Sequence, residues 1–186
     1  MAKPYLIVVT GRPGSGKTTF SAELGKRMSL PVISRDEIKE GYVQTFGKSH
    51  SELPKDTNKI VTDLFFETVT LLLLANVSLI AEAAFQHSVW ESRLTPLKDK
   101  ARMFMLICKV KDDRIVLERF IKRGLDNPLR EYFHGDQINL NGKEAELSPY
   151  IEPRLDVPTI YIDTTDGYNP SIEELKTIIL SKKGIE

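Results

Sequence analysis

The chain is 186 residues long and carries 26 Lys and Arg against 26 Asp and Glu, a formal net charge of zero. That length suits a single domain, residues 1–186, able to bury its own core, and neutrality leaves no overall field to gather nucleic acid or an anionic membrane. The lone cysteine, Cys108, excludes an intramolecular disulfide, and no signal-peptide core or bilayer-length apolar run is visible, so a cytoplasmic setting is expected.

Leu6-Ile7-Val8-Val9 is apolar on both faces, as a central parallel strand is. It leads into Gly11-Arg12-Pro13-Gly14-Ser15-Gly16-Lys17-Thr18, the spacing G-x-x-x-x-G-K-S/T of a phosphate-binding P-loop. The glycines let successive N–H groups turn inward on phosphate oxygens, and the helix that begins near Thr19 adds its positive end. Lys17 can reach the β- and γ-phosphates, and the Thr18 hydroxyl can ligate Mg²⁺. A bound nucleoside triphosphate is implied.

Further along, residues 30–34 form a short strand, and Arg35-Asp36-Glu37 opens a helix to residue 46. Residues 47–56 are polar loop, and the spacing of Ile60, Val61, Leu64, Phe65, Thr68 and Leu72 predicts a helix over 57–75. Residues 77–81 are a third strand ending at Glu82; 87–100 read as helix, kinked or restarted at Pro96; 102–110 are a fourth strand. Asp112 or Asp113 caps a helix through Arg123, with Gly124 at C′. Residues 125–156 are polar, hold Pro128, Pro149 and Pro153, and show no sustained period. Together with Gly124 they suggest a lid over the acceptor side. Residues 158–162 are a fifth strand, and a helix over 171–180 starts with Ser171 and Glu174 as a capping box. The alternation predicts an α/β fold of three layers, a five-stranded parallel sheet with helices on both faces. Ligands in such sheets sit at the carboxyl ends of the strands.

Several side chains fall there. Asp36, just past the second strand, can accept the proton of an acceptor hydroxyl, or can cap its helix. Lys39, on the same side, can bind an acidic acceptor or be solvated. Glu82, directly after a buried strand, can hold Mg²⁺, through water for example, or can bind the acceptor. His87 reads as a helix start. Arg119 and Arg123 are i,i+4 on one face, where like charges repel unless an anion such as triphosphate lies between them; pairing with Glu118 on a solvated face is the alternative. Arg114 and Arg130 are weaker candidates for the same role. His134 and Asp136 in Tyr132-Phe133-His134-Gly135-Asp136 can grip an acceptor or simply form a turn. The lone Cys and three scattered His resemble no zinc site.

The P-loop, Ser34-Arg35-Asp36, Ile80-Ala81-Glu82 and Leu117-Glu118-Arg119-Phe120-Ile121-Lys122-Arg123-Gly124 occur in the order and spacing of a known group. The chain resembles the small AAA-type P-loop kinases akin to the phage-type polynucleotide 5′-kinase, chloramphenicol phosphotransferase and the zeta toxins. The resemblance implies ATP as donor, Asp36 of an R-D-D/E-x-x-R/K stretch as catalytic base with Arg35 and Lys39 beside it, and Lys17, Arg119 and Arg123 acting on the phosphates. It also implies that Thr164 and Thr165, in Tyr161-Ile162-Asp163-Thr164-Thr165, line the adenine pocket. Glu82 stands where the polynucleotide kinases usually carry Asp. The leading expectation is an ATP- and Mg²⁺-dependent phosphotransferase acting on a small-molecule hydroxyl. The alternatives are a polynucleotide 5′-hydroxyl kinase, disfavoured by neutrality, and a nucleotide-binding switch module without transfer.

Overall fold

The computed structural model describes residues 2–127, 129–134 and 149–181. Five parallel strands lie in the order β2-β3-β1-β4-β5: β1 (Tyr5–Thr10), β2 (Val32–Ser34), β3 (Leu79–Glu82), β4 (Arg102–Lys109) and β5 (Thr159–Asp163). Strand β1 is central because its apolar run can be buried on both sides. Leu6 and Val8 face one core with Phe65, Phe66 and Trp90, while Ile7 and Val9 face the other with Phe20, Leu24 and Leu175. The first core packs under α3 (Thr57–Leu74) and α4 (His87–Leu94), the second under α1 (Lys17–Met28) and α7 (Ile172–Leu180). The remaining helices are α2 (Arg35–Phe46), α5 (Asp113–Asp126) and α6 (Leu129–His134). The three-layer α/β arrangement is the expected one.

The differences from the sequence pattern have local causes. The third strand starts at Leu79 rather than at residue 77, because Val77 N–H bonds Leu72 O and Asn76 turns at φ 60°, a helix-exit motif. Helix α4 stops at Leu94, and a 3₁₀ turn, Thr95–Leu97, takes over at Pro96. Gly124 is not a C′ residue: α5 runs through it to Asp126, and Asn127 N–H closes on Arg123 O. The residue before Pro128 is the stronger stop. Asp112, not Asp113, caps α5, accepting from Arg114 N–H at 2.8 Å. The Ser171–Glu174 capping box is present.

The described residues of the 125–156 segment fall into two parts. Helix α6 rests on α2, where Lys39 Nζ donates to His134 O at 3.3 Å. Residues 149–157 belong to the body instead, with Leu155 and Val157 packed on the first core.

Candidate active site

The P-loop joins β1 to α1 at the carboxyl edge of the sheet. Gly14 and Gly16 take φ 84° and 78°, left-handed values that a side chain rarely adopts. A Cβ on Gly14 would also lie 2.5 Å from Val116 O, so the loop presses directly on α5. The Thr164 hydroxyl donates to Ser15 O at 2.6 Å, tying the loop to the end of β5. Ser15 Oγ is buried with no hydrogen-bond partner among the described residues. Glycine-lined backbone, a buried hydroxyl awaiting an acceptor and the start of α1 together fit a bound polyphosphate.

Beside the loop lies a buried polar cluster. Glu82, 2% exposed, accepts from the Ser34 hydroxyl at 2.8 Å and lies 3.8 Å from Lys17 Nζ. The Thr18 hydroxyl approaches its other oxygen at 3.5 Å. Burial pushes the Glu82 carboxyl above its ordinary value, against the opposing pull of Lys17 and the Ser34 hydrogen bond. The sheet register makes this cluster: Ser34 and Glu82 are paired residues on adjacent strands, and Val9 pairs Glu82 on the other side. A hydroxyl and a carboxylate side by side at a triphosphate fit Mg²⁺, which takes few protein oxygens and completes its shell with phosphate and water.

A cavity of about 600 Å³ opens over the loop, lined by Lys17, Thr18, Asp36, Arg119, Arg123 and Arg130 among others. Asp36 sits in the first turn of α2, across from the loop. Burial raises its carboxyl, but the charges of His134, Lys17, Arg35 and Arg130 outweigh that and hold it below the usual carboxylate value. It is therefore an anion at neutral pH. The cavity thus brings the cations Lys17, Arg119, Arg123 and Arg130 together with the α2 carboxylates Asp36, Glu37 and Glu40.

A profile of the AAA domain family matches residues 6–141. The chain belongs to the AAA domain family. It is 23% identical over 180 residues to the L-seryl-tRNA(Sec) kinase of Methanococcus maripaludis, a match covering 93% of this chain and 65% of that protein. It is 23% identical over 184 residues to the cytidylate kinase of Pyrobaculum islandicum, covering 94% of each. The chain therefore spans about two thirds of the first of these relatives and nearly all of the second. Among solved structures, a protein of Chloroflexus aurantiacus described as a candidate kinase aligns with TM-score 0.79 at 25% identity, over 94% of this chain and 98% of that one. This AAA-domain protein carries a kinase-like P-loop domain.

In this family member the sequence-derived candidates separate into those at the cavity and those away from it. Gly14, Gly16, Lys17, Thr18, Thr19, Asp36 and Thr164 line it with the three arginines. Arg119 is braced, its guanidinium donating to Thr164 O at 3.0 Å and Thr165 O at 2.8 Å; it is not paired with Glu118 on a solvated face. Asp36 is no helix cap: Ser34 holds the N-cap position of α2. Gly11 and Pro13 shape the loop, but the Arg12 side chain turns outward to Asp113 at 2.9 Å.

Arg35 faces α3, donating to Asn58 Oδ1 at 2.9 Å. Lys39 is neither solvated nor at the cavity; it is buried under α6. His134 is not a turn residue but the end of α6, its Nε2 at 2.9 Å from Glu40 Oε1. Thr165 Oγ1 accepts from Lys111 N–H, while Arg114 is occupied by Asp112. His87 begins α4, as expected. Asp136 lies outside the described residues.

Two site features escaped the sequence. Ser34 was visible only as a neighbour of Asp36, because its role depends on the β2–β3 pairing. Glu40 had a signal, being four residues after Asp36 and so on the same helix face.

Proposed function

We propose that this domain transfers the γ-phosphate of ATP to the hydroxyl of a small molecule. The observation that carries this is Asp36: a carboxylate kept ionised, in the same cavity as Lys17 and Thr18 but across from the phosphate loop. The acceptor hydroxyl would give its proton to Asp36 as its oxygen forms the new bond to phosphorus, and the bond to the β-phosphate oxygen would break to release ADP. Lys17, Arg119 and Arg123 would take up the charge that spreads over the moving phosphoryl. Thr18 and Glu82 would hold Mg²⁺, which neutralises phosphate charge when bound. Thr164, at the cavity, would border the adenine. Helices α5 and α6 bring Arg119, Arg123 and Arg130 over the cavity and would serve as the part of the lid that excludes water.

The matched relatives include a kinase named for a seryl acceptor and one named for a nucleotide. The carboxylates of α2 favour an alcohol for this chain. A phosphate acceptor is already an anion and needs no base, so an ionised Asp36 is of use chiefly to an alcohol.

An ADP-release screen over pools of hydroxyl compounds, run with wild type and Lys17→Ala, tests the proposal. At least one pool should raise ADP release by wild type well above the rate with ATP alone, and Lys17→Ala should abolish the response. Tight ATP binding with no stimulation by any pool would support the switch-module alternative instead.

A further inference from the structure

Thr10 ends β1 and immediately precedes the P-loop, and it is fully buried. Its hydroxyl lies between two side chains from distant parts of the chain. The Trp90 indole N–H donates to it at 3.1 Å, and the Tyr150 phenol lies 3.1 Å away. An indole nitrogen only donates, so the hydroxyl keeps one proton and one lone pair with which to meet the phenol. The backbone of Gly11 faces the same phenol oxygen.

Tyr150 is itself held in place. The Gln86 side-chain amide donates to Pro149 O at 3.0 Å and accepts from Ile151 N–H at 2.6 Å, gripping both neighbours of Tyr150. His87 N–H donates to Ile151 O, and His87 Nδ1 accepts from Arg154 N–H at 3.2 Å. Lys109 pairs with Glu152 at 2.9 Å. The stretch is thus fastened to the start of α4 and the end of β4, with the phenol directed at the root of the loop. There is no slack there: a Cβ on Gly11 would stand 2.5 Å from Cys108 O and 2.6 Å from Ser15 Oγ.

We propose that Tyr150 is a positioning residue for nucleotide binding. With Trp90 it fixes Thr10, so that the loop beginning at Gly11 holds its amides in the anion-binding form before the nucleotide arrives. It acts through Thr10 and the Gly11 backbone and touches no nucleotide. Nothing in the P-loop motif requires a tyrosine 132 to 139 residues downstream of it; the link exists only because 149–154 returns across the strand ends. The inference rests on the proposed ATP binding.

Calorimetric binding of Mg²⁺ and the non-hydrolysable ATP analogue AMPPNP, with melting temperatures alongside, tests it on wild type, Tyr150→Phe, Thr10→Val, the double variant and Thr10→Ser. Tyr150→Phe should raise Kd roughly 3- to 10-fold, the worth of about one hydrogen bond, and Thr10→Val, which also strands the Trp90 indole N–H, by at least as much. The double variant should lose clearly less than the product of the two single effects, because both remove the Tyr150–Thr10 bond. Thr10→Ser, which keeps the hydroxyl, should restore the wild-type Kd. Gln86→Ala, which releases the stretch without touching the loop, should weaken binding in the same direction. A merely structural bond would lower the melting temperature by about 2–4 °C and leave Kd unchanged, and that result overturns the proposal. Additive losses in the double variant overturn it too. If wild type fails to bind AMPPNP at all, the proposal falls together with the function on which it rests.

Discussion

Replacing Asp36 by Asn removes one property and leaves the rest of the site in place. Asn matches Asp in volume, and the carboxylate makes no capping bond that the change would break. Its ion pair with Arg35, at 3.5 Å, is long, half-exposed on the Asp36 side, and secondary to the Arg35–Asn58 bond. Little folding stability is therefore at stake, since such pairs contribute at most about 1 kcal/mol. What is lost is the proton acceptor. A positioned general base contributes roughly 10²- to 10⁴-fold, about 3–5 kcal/mol of barrier, and kcat should fall within that range. ATP affinity should hold or tighten slightly, because one anion near Lys17 has gone.

The assay is ADP release with the acceptor found by screening, alongside calorimetric ATP binding. Transfer within about threefold of wild type, a barrier change below about 1 kcal/mol, would refute the base role. A collapse of ATP binding would mean that Asp36 serves the donor instead. The pH dependence carries the same sign. With its folded value held below the ordinary carboxylate value, any acid limb that Asp36 places on kcat/KM should fall below the usual carboxylate range. Its contribution to stability is present above the unfolded value and lost only as pH falls through the lower folded one.

Glu82→Gln should raise the Mg²⁺ requirement and lower kcat, by roughly 10- to 100-fold, as loss of a metal-supporting carboxylate does. Because burial raises the Glu82 carboxyl above 4.5, wild-type Mg²⁺ affinity should weaken as pH falls through that raised value, and the Gln variant should lose this dependence; titrations at several pH values read both. Gly14→Ala meets a positive φ and a carbonyl 2.5 Å from the new Cβ, so it should abolish AMPPNP binding and lower the melting temperature. Cys108 is buried and its thiol is pushed up to about 12 by burial. It should resist a thiol reagent in the native protein at pH 8 and react fully only on unfolding.

The donor half of the site was legible because its determinants are contiguous. The P-loop spacing, the apolar run before it and the i,i+4 arginines each lie within one element, and local geometry decides where they point. The acceptor half depends on what packs against what. Lys39 and Asp36 share a helix face on paper, yet α6 covers Lys39 and leaves Asp36 at the cavity. Arg35 adjoins Asp36 but turns to Asn58 on α3. The 125–156 stretch read as one irregular segment because the anchors of its described part, Gln86 and His87 at the start of α4 and Thr10 on β1, lie on two other elements and leave no periodic trace. Gly124 misled because a glycine after a basic helix end is a frequent stop, while the later Pro128 was the decisive one.

The account stands or falls on where the γ-phosphate goes. Wild-type protein given [γ-³²P]ATP, Mg²⁺, a set of small hydroxyl compounds and, in parallel, cytidine monophosphate and a 5′-hydroxyl oligonucleotide offers the direct test. The expected result is label in a stable phosphate monoester of a small alcohol, formed at least about a hundredfold more slowly by Asp36→Asn. Label in cytidine diphosphate or on the oligonucleotide, or release of inorganic phosphate alone with every alcohol, would contradict it.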